Sequence, residues 1–181
     1  MTHPSLEMRD FSHYDQLHSH RKNIKHLNYE DLVKVAFRMR KEDYEEIYLG
    51  SGYANPLVLA EHIYKTALFG SIFYDKGTPK GVMSFHATIP GVWNVGFFAT
   101  DDWGSIFTSA SIYAKKLVNK AVTSKLVRRV EARSLYSYTQ AHKWLEWLGA
   151  KKECELKDWG LGGQTYYLYC WKISDYSPET L

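Results

Sequence analysis

Cysteine is scarce in this 181-residue chain. The two present, Cys154 and Cys170, are too few for a disulfide framework and show neither metal-ligand spacing nor a CxxC redox arrangement. Both are expected to be reduced strand residues. Long apolar runs are missing as well: no stretch approaches the roughly 18 to 20 uninterrupted apolar residues that a membrane span needs. The N-terminal stretch is polar and His-rich, unlike a secretory signal, and an intracellular protein is expected. Charge of one sign is also lacking. Against 20 Asp and Glu stand 23 Lys and Arg, and a net charge of +3 is too slight for a nucleic-acid footprint.

What is abundant is aromatic. Phe, Trp and Tyr make up 15% of the chain, with 14 Tyr and 6 Trp, placed mostly at strand positions and in the last third. Large rigid aromatics fill cores first and are also enriched in protein interfaces. With 45% hydrophobic residues, the chain can bury one real core. Residues 1–28 carry His3, His13, His18, His20 and His26 with Arg21, Lys22 and Lys25, without sustained apolar periodicity. They read as an arm, solvated or partner-bound, since the histidine spacing matches no ordinary metal site. Residues 29–181 read as one domain.

Within that domain, Val33, Val35, Phe37 and Met39 alternate with Lys34, Ala36, Arg38 and Arg40 at the period of a half-buried strand. Glu42 and Asp43 open a short helix stopped by Gly50 and Gly52, and Asn55 with Pro56 caps another. Leu68–Tyr74 and Lys80–Thr88 flank the turn Asp75-Lys76-Gly77-Thr78-Pro79 as a hairpin, and Val92–Thr100 continues the meander. From Trp103 to Val122, Ile106, Ala110, Tyr113, Ala114, Leu117 and Ala121 recur at three- and four-residue intervals, as an amphipathic helix requires. Strand Leu126–Ala132, helix Thr139–Leu148 and strands Ala150–Leu156 and Thr165–Trp171 follow. The last two straddle a glycine-rich loop around Asp158–Gly163.

This order resembles that of the GNAT acyltransferases over about Val33 to Trp171. Phe37-Arg38-Met39-Arg40 with Glu42 and Asp43 resembles that family's first strand and helix. Gly77-Thr78-Pro79-Lys80-Gly81-Val82 resembles its second hairpin, and Ala141, Trp144, Leu145, Leu148, Gly149 and Ala150 its penultimate helix and following turn. The resemblance implies an α/β fold, an α+β mixed, mostly antiparallel sheet flanked by helices, and acetyl-CoA as cofactor if the protein is active. Two short segments, Phe98-Ala99-Thr100-Asp101-Asp102 and Trp144-Leu145-Glu146-Trp147-Leu148-Gly149-Ala150, also resemble a family of small internal virion or virion-assembly proteins of short-tailed bacteriophages. That implies a protein of the host cytoplasm, or packaged in the virion, whose partners are other virion or assembly proteins.

The family's pyrophosphate signature places glycines at the start of the long helix, where backbone N–H groups approach phosphate closely. The corresponding stretch here is Asp101-Asp102-Trp103-Gly104-Ser105-Ile106-Phe107-Thr108, which keeps only Gly104. Asp101 or Asp102 is expected to cap the helix instead. The family's acid, a Tyr four residues before the helix-ending glycine, is here Leu145, and the Asn seven residues earlier is Tyr138. His86 or Glu131 could serve as base, and Tyr136 or Tyr138 as acid. Ser134 and Ser137 have no visible His and Asp partners. The leading expectation is therefore a scaffold with a degenerate acyl-CoA site that works through protein contacts, no cofactor being needed. The alternative is a divergent N-acetyltransferase, with acetyl-CoA along Phe97, Phe98 and Ala99 and its pyrophosphate at Trp103, Gly104 and Ser105. A third reading gives the cleft between the central strands to a different ligand.

Overall fold

A computed structural model describes residues 23–124 and 127–176 of the chain. The elements run β1 (Ile24–His26), α1 (Tyr29–Phe37), α2 (Lys41–Ser51), α3 (Pro56–Thr66), β2 (Phe69–Asp75), β3 (Thr78–Ile89) and β4 (Val92–Ala99). A 3-10 turn (Trp103–Ile106) leads into α4 (Phe107–Thr123), followed by β5 (Arg129–Leu135), α5 (Thr139–Trp147), β6 (Lys151–Leu156) and β7 (Tyr166–Lys172). The strands form one sheet in the order β1-β2-β3-β4-β5-β7-β6. Every pairing is antiparallel except β4 with β5.

The first helix corrects the sequence reading. Residues 33–37, expected to begin a strand, belong to α1, and Met39 makes only an isolated bridge to Thr100. The alternation of Val33, Val35, Phe37 and Met39 misleads because the buried positions are Leu32, Val35 and Ala36, at helical spacing, while Phe37 is 59% exposed. Start signals agree with a helix: the Asn28 side chain accepts from Asp31 N–H at 3.0 Å, and Glu30 and Asp31 occupy the first turn. The sheet's first strand lies earlier, inside the expected arm, where Ile24–His26 pair with Ser71–Phe73 of β2. Residues 1–22 of the arm, with its histidines other than His26, lie outside the described residues.

Two cores sandwich the sheet. On one face α1 and α3 pack Leu32, Val35, Leu59 and Ile63 against Ile72, Val82 and Phe98. On the other, Ala110, Tyr113, Leu117 and Leu148 of α4 and the α5 end meet Phe73, Phe85, Val130 and Trp171. The β2–β3 turn is made by Lys76 and Gly77, at φ 47° and 82°, the paired left-handed conformation that matches hairpin twist. No helix among the described residues is long and apolar enough to cross a membrane.

Candidate active site

The site begins where two strands part. β4 and β5 pair only through Val92–Asn94 and Arg129–Glu131; beyond Asn94, β4 stays with β3, and beyond Glu131, β5 stays with β7. The diverging edges leave backbone groups free of sheet partners. Ala99 gives its N–H to Asp43 Oδ2 at 2.8 Å and its C=O to Arg40 N–H at 2.9 Å, so it faces away from β3. By strand alternation the Phe97 N–H and C=O open toward the same side. On β5, Leu135 N–H leaves the sheet for Glu46 Oε1 at 2.7 Å, which aims the Arg133 backbone into the gap in the same way.

A cavity of about 1250 Å³ runs through this splay. Its wall on the α2 side includes Glu46, Tyr53, His62, His86, Arg133 and Trp159; its wall on the α4 side includes Trp103, Phe107, Ser111, Ile112, Trp144 and Trp147. The α4-side wall is an aromatic cluster. Phe97 sits 5.1 Å from Trp103 and 4.8 Å from Trp144, and Trp103 lies edge-on to Phe107 at 5.0 Å. Trp144 Nε1 donates to Ser111 Oγ at 2.8 Å, which satisfies its polar atom in a mostly apolar wall.

Two carboxylates of α2, one turn apart, meet the splay. Asp43 is buried and accepts from Arg40 Nε at 3.0 Å, Arg40 Nη2 at 2.8 Å, Ala99 N–H and Tyr138 Oη at 3.0 Å. Burial pushes its carboxyl above the ordinary range, against the pull of Arg40. Glu46 Oε1 accepts from Ser134 Oγ and from Leu135 N–H, both at 2.7 Å, while Oε2 has no hydrogen bond among the described residues. Burial pushes the Glu46 carboxyl up to about 7, with the neighbouring Asp43 adding to the rise and Arg40 opposing it. A carboxyl lining a cavity and titrating near neutrality is poised as a general base.

Of the residues singled out in the sequence, His86 and Tyr138 line this cavity, and Glu131 does not. His86 contacts Thr66 Oγ1 through Nδ1 and Ser84 Oγ through Nε2, each at 3.0 Å, and burial lowers its pKa. Tyr138 spends its hydroxyl on Asp43, and burial raises its pKa. Glu131 is held between Arg129, at 2.6 Å, and Arg133, at 3.2 Å. Tyr136 is exposed and outside the cavity, and Leu145 is buried core. Phe97, Phe98 and Trp103 line the cavity, Ala99 turns its backbone to α2, and Gly104 and Ser105 sit in the 3-10 turn beside it.

The Asp102 expectation fails. It occupies the cap position of the 3-10 turn without a side-chain cap bond. Its carboxylate instead binds Lys80, accepts from Thr100 Oγ1 at 2.6 Å and lies 3.5 Å from Arg38, and the Lys80 bond holds it down at about 2. Two cations, Lys80 and Arg38, thus offset the Asp102 charge at the head of α4. What the sequence reading missed is Asp43 and Glu46. Their signal was the face Asp43, Glu46, Ile47, Gly50, at i, i+3, i+4, i+7, on a helix whose many charges suggest a solvated surface. Gly50 marks the close approach: a Cβ there would stand 3.0 Å from Tyr166 Oη.

This mostly antiparallel sheet flanked by helices superposes on solved acetyltransferases. The fold is that of the GNAT acyltransferases. An acetyltransferase (GNAT family) from Bacillus anthracis superposes with a TM-score of 0.64 at 16% identity, covering 83% of this chain and 94% of its own. A ribosomal-protein-S5-alanine acetyltransferase from Vibrio fischeri gives 0.57 at 17% identity, over 86% and 94%. A ribosomal-protein-alanine N-acetyltransferase from Brucella melitensis gives 0.64 at 11%, over 82% and 98%. At these identities the likeness concerns the GNAT fold alone. No family model and no curated protein matches the sequence.

Proposed function

We propose that the chain is an acetyl-CoA-dependent N-acyltransferase acting on an amine, with its chemistry centred on Glu46 rather than on residues readable from the family's motifs. The observation that carries this reading is the free Oε2 of a carboxyl titrating near 7, on the wall of a cavity that passes through the β4–β5 splay. Acetyl-CoA would supply the activated acyl group: the amine nitrogen forms the new C–N bond, the C–S bond breaks and the thiolate leaves. The protein's residues serve the rest. Glu46, which lines the cavity, takes the ammonium proton, and its Oε1 bonds to Ser134 and Leu135 hold the carboxyl in place and leave Oε2 for that proton. Tyr138, kept protonated by burial and donating to Asp43, lines the same cavity, and the departing thiolate takes its proton from water. The Phe97 and Arg133 backbone edges offer N–H and C=O groups for the donor's amide-bearing arm. Thiol release from acetyl-CoA, followed with a panel of small amines and peptides, tests the reading: amine-dependent release supports it, and release that no amine accelerates counts against it.

A second reading has its own observation. Phe107, Ile112 and Trp147 are 43%, 41% and 50% exposed at the α4-side mouth, and bulky Ile106 and Phe107 stand where the family keeps small residues. A virion-associated or assembly role, with other virion or assembly proteins as partners and the host cytoplasm or the particle as location, would use this rim as a contact surface. Stoichiometric presence in purified particles supports that role, and absence from particles and assembly intermediates removes it.

A further inference from the structure

The α2 side of the cavity holds one charged group that the proposed chemistry leaves idle. Arg133, on β5 at the splay, lines the cavity and lays its guanidinium 5.0 Å over the Trp159 ring. Trp159 belongs to the glycine-rich loop between β6 and β7, which is tied to α2 by the bond from Leu161 N–H to Leu49 C=O at 2.8 Å. This places Arg133 and Glu46 on the same side of the sheet. Among the described residues, Arg133 Nε is the one buried side-chain nitrogen or oxygen without a hydrogen-bond partner. A buried donor left unpaired bears the full cost of its desolvation, so such an atom calls for a ligand.

Its neighbours do not cancel its charge. Glu131, bound to Arg133 Nη2 at 3.2 Å, has a closer partner in Arg129 Nε at 2.6 Å. Glu153 is held by both Arg129 and Lys172. The connected network therefore sets Arg129, Arg133 and Lys172 against Glu131 and Glu153, and the positive charge in surplus lies at the cavity end. Glu46 makes no ion pair with Arg133: its Oε1 bonds go to Ser134 and Leu135.

We infer that Arg133, backed by Trp159, is a subsite for a carboxylate carried by the amine acceptor. The planar guanidinium, fixed between an aromatic face and Glu131, presents N–H donors in the geometry that a carboxylate's two oxygens accept. An acceptor with an ammonium and a carboxylate, such as an amino acid or a peptide with an acidic group near its amine, would then span Glu46 and Arg133. The word acceptor rests on the acyl-transfer reading; the anion site does not.

The test follows arginine Nε–H resonances in 15N spectra of the full chain during titration with acetate and with its neutral isostere acetamide. The Arg133 signal is assigned by its loss in Arg133→Lys, which leaves Glu131 paired with Arg129. Acetate is expected to shift that resonance to saturation, and acetamide to shift it about tenfold less at equal concentration. The part of the tryptophan fluorescence response that Trp159→Phe removes should show the same contrast. Equal responses to the two ligands, or none to acetate, overturn the inference. A separate titration with acetyl-CoA tells the two claims apart. An acetate response without acetyl-CoA binding keeps the anion site and removes the acyl-transfer reading, and the reverse result removes the anion site alone.

Discussion

Glu46→Gln is expected to slow amine acylation by about 10²- to 10⁴-fold, the usual worth of a positioned general base, while making the protein more stable at pH 8. Both effects have one cause. Gln keeps an oxygen to accept from Ser134 and Leu135 but can neither take a proton nor carry the charge that burial disfavours. Raising a carboxyl from 4.5 to about 7 corresponds to roughly 3 kcal/mol of disfavoured ionisation, and access through the cavity reduces that to on the order of 2 kcal/mol. The sign follows from the upward shift. Below 4.5 the group is protonated in both states and its stabilising contribution is complete. As pH rises the unfolded chain ionises first, and the contribution is lost by the time the folded carboxyl ionises near 7. The Gln variant should therefore gain stability over the parent between those values and hold the gain above them. The parent's rate should climb through pH 7 as Glu46 loses its proton, whereas the variant's residual rate should show no such rise. Urea melts and initial rates across pH 5 to 9 check both halves.

Asp43→Ala is expected to destabilise the fold by about 3 to 5 kcal/mol, the range for breaking a buried ion pair by removing one partner. One small side chain joins four groups from three regions: the Arg40 guanidinium, the Ala99 N–H of β4, the Tyr138 hydroxyl and α2 itself. Its loss strands Arg40 without a counter-charge and leaves Ala99 N–H unpaired at the splayed edge. Arg40 keeps its place over Trp103, 4.7 Å from the ring, so collapse of the turn is not expected. Asp43→Asn, which retains an acceptor for Ala99 N–H, should cost clearly less. Denaturant midpoints of the two variants check the order, and equal losses would mean that the Ala99 bond contributes little.

Local signals carried most of the fold. Asn55 and Pro56 mark the start of α3 because the cap bond and the preset proline angle act within two residues. The α4 stripe and the Lys76-Gly77 turn were equally legible, their geometry being set by neighbours in sequence. Where the reading failed, distant partners decided. Ile24–His26 has no alternation of its own and is a strand because β2 supplies its hydrogen bonds. Val33–Phe37 alternates yet is helical, because the Asn28 cap and the packing of Leu32, Val35 and Ala36 outweigh the pattern. The candidate site was less legible than the fold. Asp43 reaches Ala99, and Glu46 reaches Ser134 and Leu135, across long separations along the chain that no local pattern encodes. His86 and Tyr138 could be named from residue type and strand or helix position, but not their engagement with Ser84 and Asp43.

The central claim is that the β4–β5 splay receives an acyl-thioester donor, and calorimetric titration of the full chain with acetyl-CoA tests it most directly. Saturable one-site binding is expected, with a Kd on the order of 10 to 100 µM, in the range common for enzyme substrates. The same titration should fail for Gly96→Val. Gly96 lines the cavity, and a Cβ there would meet nothing closer than Ser84 Oγ at 3.8 Å, so a side chain can fill the gap without disturbing the sheet. Absence of heat at millimolar acetyl-CoA from a folded parent protein would contradict the account and leave the cavity to a ligand of another kind.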